Sequence, residues 1–213
     1  MKKASRLFKL STIVMSMLIV TVFSCGEKQK EATKVIEKEE LVEVQEPFFK
    51  LSLAQWSLNK AVREGGQSPL DFAQKASELG FEGIEYVSQL YTKELEKDKD
   101  PKVAMANMLK VLKEKSETYN VTNVLIMVDR EGDLATLDDK ERAQTIENHK
   151  KWVDAAQFLG CHSIRVNAHG VGTYEEVAEA AVKGLSELST YAATKGINVI
   201  VENHGGYTSN GKW

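Results

Sequence analysis

Polar side chains follow the short apolar segments of this chain, at the positions where those segments end. The clearest case is the segment 197–201, which runs directly into Glu202 and then His204. A carboxylate at such a half-buried rim needs a partner. A divalent cation is one, because hard cations take carboxylate oxygens and a nearby imidazole can complete or orient the shell. An ion pair of Glu202 with Arg165 or Arg130 is the other, and position alone leaves both open.

Four earlier segments end in the same way. Their terminal residues are Gln55 and Trp56, Glu85 and Tyr86, Asp129 and Arg130, and Asn167 and His169. If these segments are parallel strands, their carboxyl ends meet at one edge of the sheet, where barrel enzymes carry their functional groups. The pattern predicts one polar site built from several strand ends.

Alternating strands and helices are the elements that would position these residues. Beyond Pro47, short apolar segments alternate with helical stripes of roughly 11 to 23 residues, which predicts βα units and a parallel sheet. Ser68 followed by Pro69 predicts one helix start, and Thr173 with Glu176 forms a capping box for another. The expected strands are 51–57, 83–87, 122–128, 163–167 and 197–203, with four helices between them.

An internal repeat connects these units. Gly80, Asn120, Gly160 and Gly196 each follow a helical stripe at spacings of about 40, 40 and 36 residues, as left-handed helix caps would. An open doubly wound sheet and a closed (β/α)8 barrel both accept such units. The segment 57–66 lacks the Gly-x-Gly-x-x-Gly turn of dinucleotide-binding sheets, so the barrel is preferred.

The length of the chain predicts only part of such a barrel. About 166 residues follow position 47, whereas eight units need roughly 250. We therefore expect residues 48–213 to form the N-terminal part of a (β/α)8 TIM barrel, with about five strands and four helices, and the sequence to be truncated. A complete small α/β domain is the alternative.

The first 47 residues differ in composition from the rest of the chain. Basic residues followed by an apolar run of about 14 residues predict a signal peptide rather than a membrane-spanning helix. Its end resembles a bacterial lipobox, which makes residues 1–25 a lipoprotein signal peptide with Cys25 as the lipidated residue. An ordinary signal peptide is the alternative. Residues 26–47 are rich in Glu and Lys and predict a flexible charged tether. The protein is thus expected in the cell envelope, lipid-anchored and facing the periplasm or the cell surface.

The charge balance argues against a nucleic-acid partner. The chain has 28 Lys and Arg against 31 Asp and Glu, a formal net charge of -3. Four of the basic residues and none of the acidic ones lie in the first 25 positions, so the remainder is more acidic still. Nucleic-acid-binding domains usually carry a basic excess on one face.

Four segments resemble the sugar phosphate isomerase/epimerase family, which has the xylose-isomerase-like TIM barrel. They are LSLAQWS at 51–57, GIEYV at 83–87, LGCHSIRVN at 159–167 and VIVENHGG at 199–206. The likeness is greatest to secreted or lipid-anchored bacterial members. By this resemblance Glu202 corresponds to the fifth-strand glutamate that binds a divalent metal ion (Mn, Mg, Co or Zn) and, in the epimerases, moves a proton. The family's other ligands, an Asp, a His and a second Glu, would lie beyond Trp213.

The resemblance implies isomerisation or epimerisation of a sugar, or of a sugar phosphate, through an enediolate. One carboxylate removes a proton from the carbon next to a carbonyl, a metal ion stabilises the enediolate, and another group returns the proton. Without the downstream ligands, the chain as given is expected to bind metal poorly and to turn over little.

Several residues are candidate contacts for a sugar. His204 could bond a hydroxyl group, His169 could face the site beside Asn167, Trp56 could form an apolar wall and Glu85 could accept from a hydroxyl group. Each also has an ordinary structural explanation, as a loop cap, a turn or packing. His149 and His162 are expected to be structural.

Two other functions compete with the enzyme. One is a non-catalytic sugar-binding lipoprotein or an inactive fragment. The other is an enzyme like endonuclease IV, which shares the barrel but expects histidine ligands at early strand ends; Tyr86 and Asp129 stand there instead. The expected partners are a small-molecule sugar and a membrane reached through the lipid anchor, with no nucleic acid. The oligomeric state is left open.

Overall fold

Five short strands form one parallel sheet in the order in which they occur along the chain. The computed structural model describes residues 48–210. The strands are β1 Ser52–Ala54, β2 Gly83–Val87, β3 Thr122–Met127, β4 Ser163–Asn167 and β5 Asn198–Glu202, and each pairs in parallel with the next. This order confirms the predicted βα units and the α/β class of a partial TIM barrel. The signal peptide, Cys25 and the tether lie outside the described residues.

Helices connect successive strands, and three of them are long: α4 Pro101–Thr118, α5 Asp139–Leu159 and α6 Tyr174–Thr194. Shorter helices lie between the first strands: α1 Asn59–Arg63, α2 Phe72–Glu78 and α3 Thr92–Leu95. The capping box of Thr173 and Glu176 is present at the start of α6, and the Ser68 hydroxyl accepts a bond from the amide of Leu70. Both predicted helix starts are confirmed.

Within residues 48–210, no helix combines the length and the apolar character that crossing a bilayer requires.

The first strand is shorter than the sequence predicts. It ends at Ala54, and residues Gln55–Leu58 form a 3-10 helix instead of continuing the strand. The reason is the fully buried Gln55 side chain, whose Oε1 accepts from the backbone amide of Val87 at 3.0 Å while Nε2 donates to the hydroxyl of Tyr91 at 2.8 Å. A side chain thus replaces the strand backbone as the partner of Val87, and the ladder of β1 stops there.

The predicted helix caps are confirmed at all four repeat positions. Gly80, Asn120, Gly160 and Gly196 have φ angles of 82°, 52°, 79° and 70°. Each cap therefore adopts the left-handed conformation that glycine tolerates best and asparagine second best. These turns lead into the amino-terminal ends of β2 to β5, so they set where each strand begins.

The two faces of the sheet differ in chemistry. Side chains such as Ile84, Ile126 and Ile164 are buried against helix residues that include Trp152 and Leu188. Because strand side chains alternate between faces, the neighbouring positions point to the opposite, open face. The open face carries Ser52, Glu85, Arg165, Asn167 and Glu202.

Gly184 provides a test of the packing between α6 and the loop after β3. A Cβ atom at this position would overlap the carbonyl oxygen of Leu134. Replacing a mid-helix glycine with alanine ordinarily stabilises a protein by about 1 kcal/mol. Here we expect Gly184→Ala to lower the free energy of unfolding by about 1–3 kcal/mol, because the helix or the loop must shift. Urea denaturation measures the change.

The control is Ser186→Ala on the exposed side of the same helix, which should change the free energy of unfolding by less than about 0.5 kcal/mol. A Gly184→Ala variant more stable than the parent would contradict the packing described.

Candidate functional site

A chain of charged and amide groups crosses the carboxyl ends of β3, β4 and β5. Arg165 of β4 forms an ion pair through Nη1 with Glu202 Oε2, and the same nitrogen lies 3.5 Å from Asp129 Oδ1. Asn167 donates from Nδ2 to that Asp129 oxygen at 3.0 Å. Asn167 and Glu202 are paired in register, so they occupy the same level of the sheet. One cation therefore joins carboxylates that come from two other strands.

Asp129 is fixed from the other side by the turn after β2. Its backbone amide donates to Ser88 Oγ at 2.8 Å, and Gln89 Nε2 donates to Asp129 Oδ2 at 3.2 Å. The next residue, Arg130, has a φ of 63°, which is in the left-handed region. The polar chain thus extends over the ends of four strands.

Glu202 is engaged by Arg165, which is one of the two partners that its position in the sequence suggested. The Arg165 side chain is 14% exposed and that of Glu202 is 36% exposed, so the pair is shielded from solvent on one side only. Residues 48–210 contain no group of three or more His, Cys, Asp or Glu side chains placed to hold a metal ion. These residues therefore do not by themselves fit a metal centre, and a metal-binding role for Glu202 stays a prediction.

A cleft of about 590 Å³ opens beside the polar chain. Asn167, His169 and His204 line it together, which brings three of the predicted site residues into one place. The other lining residues are Val128, Arg130, Gly132, Asp133, His149, Ala168, Gly205, Gly206 and Thr208. This volume is within the range of ordinary small-molecule sites.

Loop contacts hold the walls of the cleft. The amide of Ala135 donates to the carbonyl oxygen of His169 at 3.0 Å, which ties the loop after β3 to the loop after β4. Tyr207, after β5, donates its hydroxyl to the carbonyl oxygen of Gly172 at 3.2 Å and packs edge-on against the ring of Tyr174 with 5.5 Å between centroids. Three successive loops are therefore mutually braced.

His149 also lines the cleft, although the sequence analysis expected it to be structural. It lies on α5, is 2% exposed, and donates from Nδ1 to the carbonyl oxygen of Thr145 at 2.8 Å. Burial lowers the pKa of the imidazole, because a buried ring loses the hydration of its charged form. Helical spacing predicts only that this residue faces inward. No sequence signal indicates that the loops after β3 and β4 leave it at the wall of a cleft.

Trp56 and Glu85 lie elsewhere. Glu85 is on the open face of β2, nearer the middle of the sheet, where its Oε1 accepts from the Ser52 hydroxyl at 2.5 Å. Trp56 is 41% exposed in the 3-10 helix after β1, and the Arg63 guanidinium lies 5.9 Å from its ring centroid. Neither residue lines the cleft, and their roles in binding stay predictions. His162 is exposed, with Nδ1 2.6 Å from Ser163 Oγ.

A parallel sheet in chain order, helices on one face and polar groups at the carboxyl ends of the strands define a (β/α) barrel protein. The family model described as xylose isomerase-like TIM barrel matches residues 73–212, well over half of the chain. The chain belongs to this family. A search of the curated proteins found no match.

Solved structures agree on the fold. A D-tagatose 3-epimerase-like protein is 20% identical with a TM-score of 0.56, covering 74% of this chain and 54% of its own. D-psicose 3-epimerase, determined in the presence of D-fructose, is 15% identical with a TM-score of 0.55, covering 71% and 51%. The IolI protein with a bound zinc atom is 17% identical with a TM-score of 0.53, covering 72% and 51%. The chain thus spans about half the length of these proteins.

The ion pair of Arg165 can be tested by removing its charge. We expect Arg165→Gln to lower the free energy of unfolding by about 1–3 kcal/mol, because the carboxylates of Asp129 and Glu202 lose the cation between them. Urea denaturation at pH 7 measures the loss. The double variant Arg165→Gln/Glu202→Gln should recover part of this lost stability, since only one of the two unpaired carboxylates remains. The single variant Glu202→Gln completes the cycle, and losses of the two single variants that simply add up in the double variant would show that Arg165 and Glu202 are not coupled.

The burial of His149 predicts an acid-dependent loss of stability. Its folded-state pKa lies below its ordinary value, so the unfolded chain binds the proton more readily. Stability therefore falls as the pH falls through about 6.5 and stops falling below the folded-state pKa, with a slope of at most about 1.4 kcal/mol per pH unit. Urea denaturation at pH 7.5 and 5.5 should show a smaller acid loss for His149→Asn than for the parent. The exposed His162→Asn is the matched control, and an equal effect of both substitutions would contradict this assignment.

Proposed function

We propose that this chain is part of an enzyme that isomerises or epimerises a sugar. The enzyme would move a proton on the carbon next to a carbonyl group, and Glu202 would be the carboxylate that transfers this proton. The observation that carries the proposal is the position of Glu202, at the carboxyl end of β5 on the open face, beside a cleft of small-molecule size. Family membership supports it, and so do the names of two structural neighbours, a D-psicose 3-epimerase and a D-tagatose 3-epimerase-like protein.

The surroundings of Glu202 suit such a step. Its ion pair with Arg165 fixes the carboxylate in one position, which lowers the cost of orienting it toward a substrate carbon. The guanidinium is also a fixed positive charge close to where an enediolate would develop negative charge. Asn167 is paired in register with Glu202, and both Asn167 and His204 line the cleft. In this proposal they are the groups that bond substrate hydroxyl groups.

A divalent metal ion would polarise the substrate carbonyl and stabilise the enediolate. Glu202 is the residue of the described chain that would contribute to holding it, together with ligands that residues 48–210 do not supply. Mn, Mg, Co and Zn all remain candidates. The proposed partners are accordingly a small-molecule sugar and, through lipidated Cys25, a membrane of the cell envelope.

Exchange of carbon-bound protons with solvent tests the proposed function. The full chain is incubated in D2O with D-fructose or D-tagatose, with and without added Mn²⁺, and deuterium in the recovered sugar is measured by NMR. We expect slow incorporation in at least one sugar, because residues 48–210 supply Glu202 but not a complete metal site. We expect Glu202→Gln to abolish this incorporation, because the amide cannot accept the proton.

The control is Glu179→Gln, the same chemical change on the exposed side of α6, which should leave exchange unaltered. Exchange that persists in Glu202→Gln would remove Glu202 from the mechanism. Binding of a sugar without any exchange would favour the non-catalytic sugar-binding function.

A further inference from the structure

His149, a residue of the cleft wall, has one ring nitrogen without a partner among residues 48–210. The His149 ring is almost fully buried, and its Nδ1 must donate, because its partner, the carbonyl oxygen of Thr145, can only accept. In a neutral imidazole this leaves Nε2 as an acceptor with its lone pair directed outward from the ring. Among residues 48–210, no group bonds to that nitrogen.

The fold does not need an acceptor there. The bond from Nδ1 ends on α5 itself, four residues earlier, so the ring connects α5 to no other element through hydrogen bonds. A buried acceptor without a partner costs about 1–3 kcal/mol, which an apolar side chain of similar size would avoid. The unused acceptor therefore indicates a partner other than residues 48–210.

The surroundings determine what kind of partner fits. Burial disfavours the charged imidazolium, so Nε2 presents a lone pair rather than a proton. The neighbouring charges of Glu131 and Lys151 act on the ring in opposite directions, and Lys151 also pairs with Glu131 at 2.8 Å. A neutral acceptor is suited to a neutral donor such as a hydroxyl group.

The cleft can bring such a donor to the ring. His149 shares the lining with Asn167, His169 and His204, all of which can bond hydroxyl groups, while Gly132 adds no side chain to the wall. A volume of about 590 Å³ is ample for a monosaccharide. A polyhydroxylated ligand would satisfy several of these groups at once.

We propose that Nε2 of His149 accepts a hydrogen bond from a hydroxyl group of the carbohydrate bound in this cleft, which makes His149 a substrate-binding residue. The inference rests on the proposed function, because it takes the ligand to be a sugar. It adds a contact from the helix after β3, on the side of the cleft formed by the β3 and β4 loops, in addition to the groups at the strand ends.

Two substitutions at His149 distinguish the roles of its two ring nitrogens. In His149→Asn, the amide nitrogen can take over the bond of Nδ1 to Thr145, while nothing reaches the position of Nε2. In His149→Gln, the longer side chain can place an oxygen acceptor near the position of Nε2. We expect the dissociation constant for D-fructose or D-tagatose, measured by calorimetry on the full chain, to rise roughly tenfold in His149→Asn and to be at least partly restored in His149→Gln.

A spectroscopic measurement excludes an indirect effect on the fold. In the full chain labelled with ¹⁵N-histidine, the Nε2 resonance of His149, assigned by its absence in His149→Asn, should move when D-fructose or D-tagatose is added. An unmoved resonance in the presence of bound sugar would assign Nε2 to a water molecule and overturn the inference. Equal affinities of the parent and His149→Asn would overturn it as well, and so would the absence of binding by either sugar.

These outcomes are independent of the proton-exchange assay. Exchange that depends on Glu202, together with sugar affinity that does not depend on His149, would leave the proposed function standing and reject this inference. Affinity that depends on His149 in a protein that exchanges no proton would support the binding residue and reject the enzyme.

Discussion

A single guanidinium between two carboxylates organises the open face of this sheet. Arg165 on β4 lies between Asp129, after β3, and Glu202, at the end of β5. The arrangement depends on strict alternation, because Arg165 is flanked by Ile164 and Val166, both fully buried against the helices. A slip of one residue in the register of β4 would put the charge into the core and isoleucine on the open face. The burial of the apolar face thus determines which side chains lie on the open, charged face.

The polar chain and the cleft differ in the kinds of polar side chain that they contain. Along the strand ends, the Arg165 guanidinium is shared by the carboxylates of Asp129 and Glu202 and holds Glu202 in place. In the cleft, burial favours the uncharged form of His149, and amide and imidazole groups lie beside Arg130 and Asp133. A ligand that lies across both regions would meet the carboxylate of Glu202 at one end and several hydrogen-bonding groups at the other. This division suits a sugar, which reacts at one carbon and carries hydroxyl groups along the rest of its length.

Much of the fold could be predicted because the signals are local. Alternation of strands and helices, the caps at Gly80 and Gly160, and the box at Thr173 each depend on a few adjacent residues, and the structure confirms them. The end of β1 could not be predicted, because it depends on Gln55 reaching the amide of Val87, 32 residues away. Tertiary contacts of this kind leave no periodic signal in the sequence.

The candidate site, like the fold, could be predicted only where the signal is local in the sequence. Strand-end residues could be selected by position, and Asn167, His169 and His204 do meet in one cleft. The choice between a cation and Arg165 as the partner of Glu202 required the register of β4 and β5, which spacing does not determine. The place of His149 depended on the path of two loops, and loop paths follow from packing rather than from hydrophobic pattern.

The repeated left-handed turns lie at the end of the sheet opposite the polar chain. Residues such as Gly80 and Gly196 fix where β2 and β5 begin, whereas the groups around Glu202 follow the points where strands stop. The turns that begin the strands and the candidate site thereby lie at separate rims of one scaffold. Loops on the ligand rim can diverge in length and composition while the turns on the other rim keep the strands in place, and new specificities can arise on an unchanged frame.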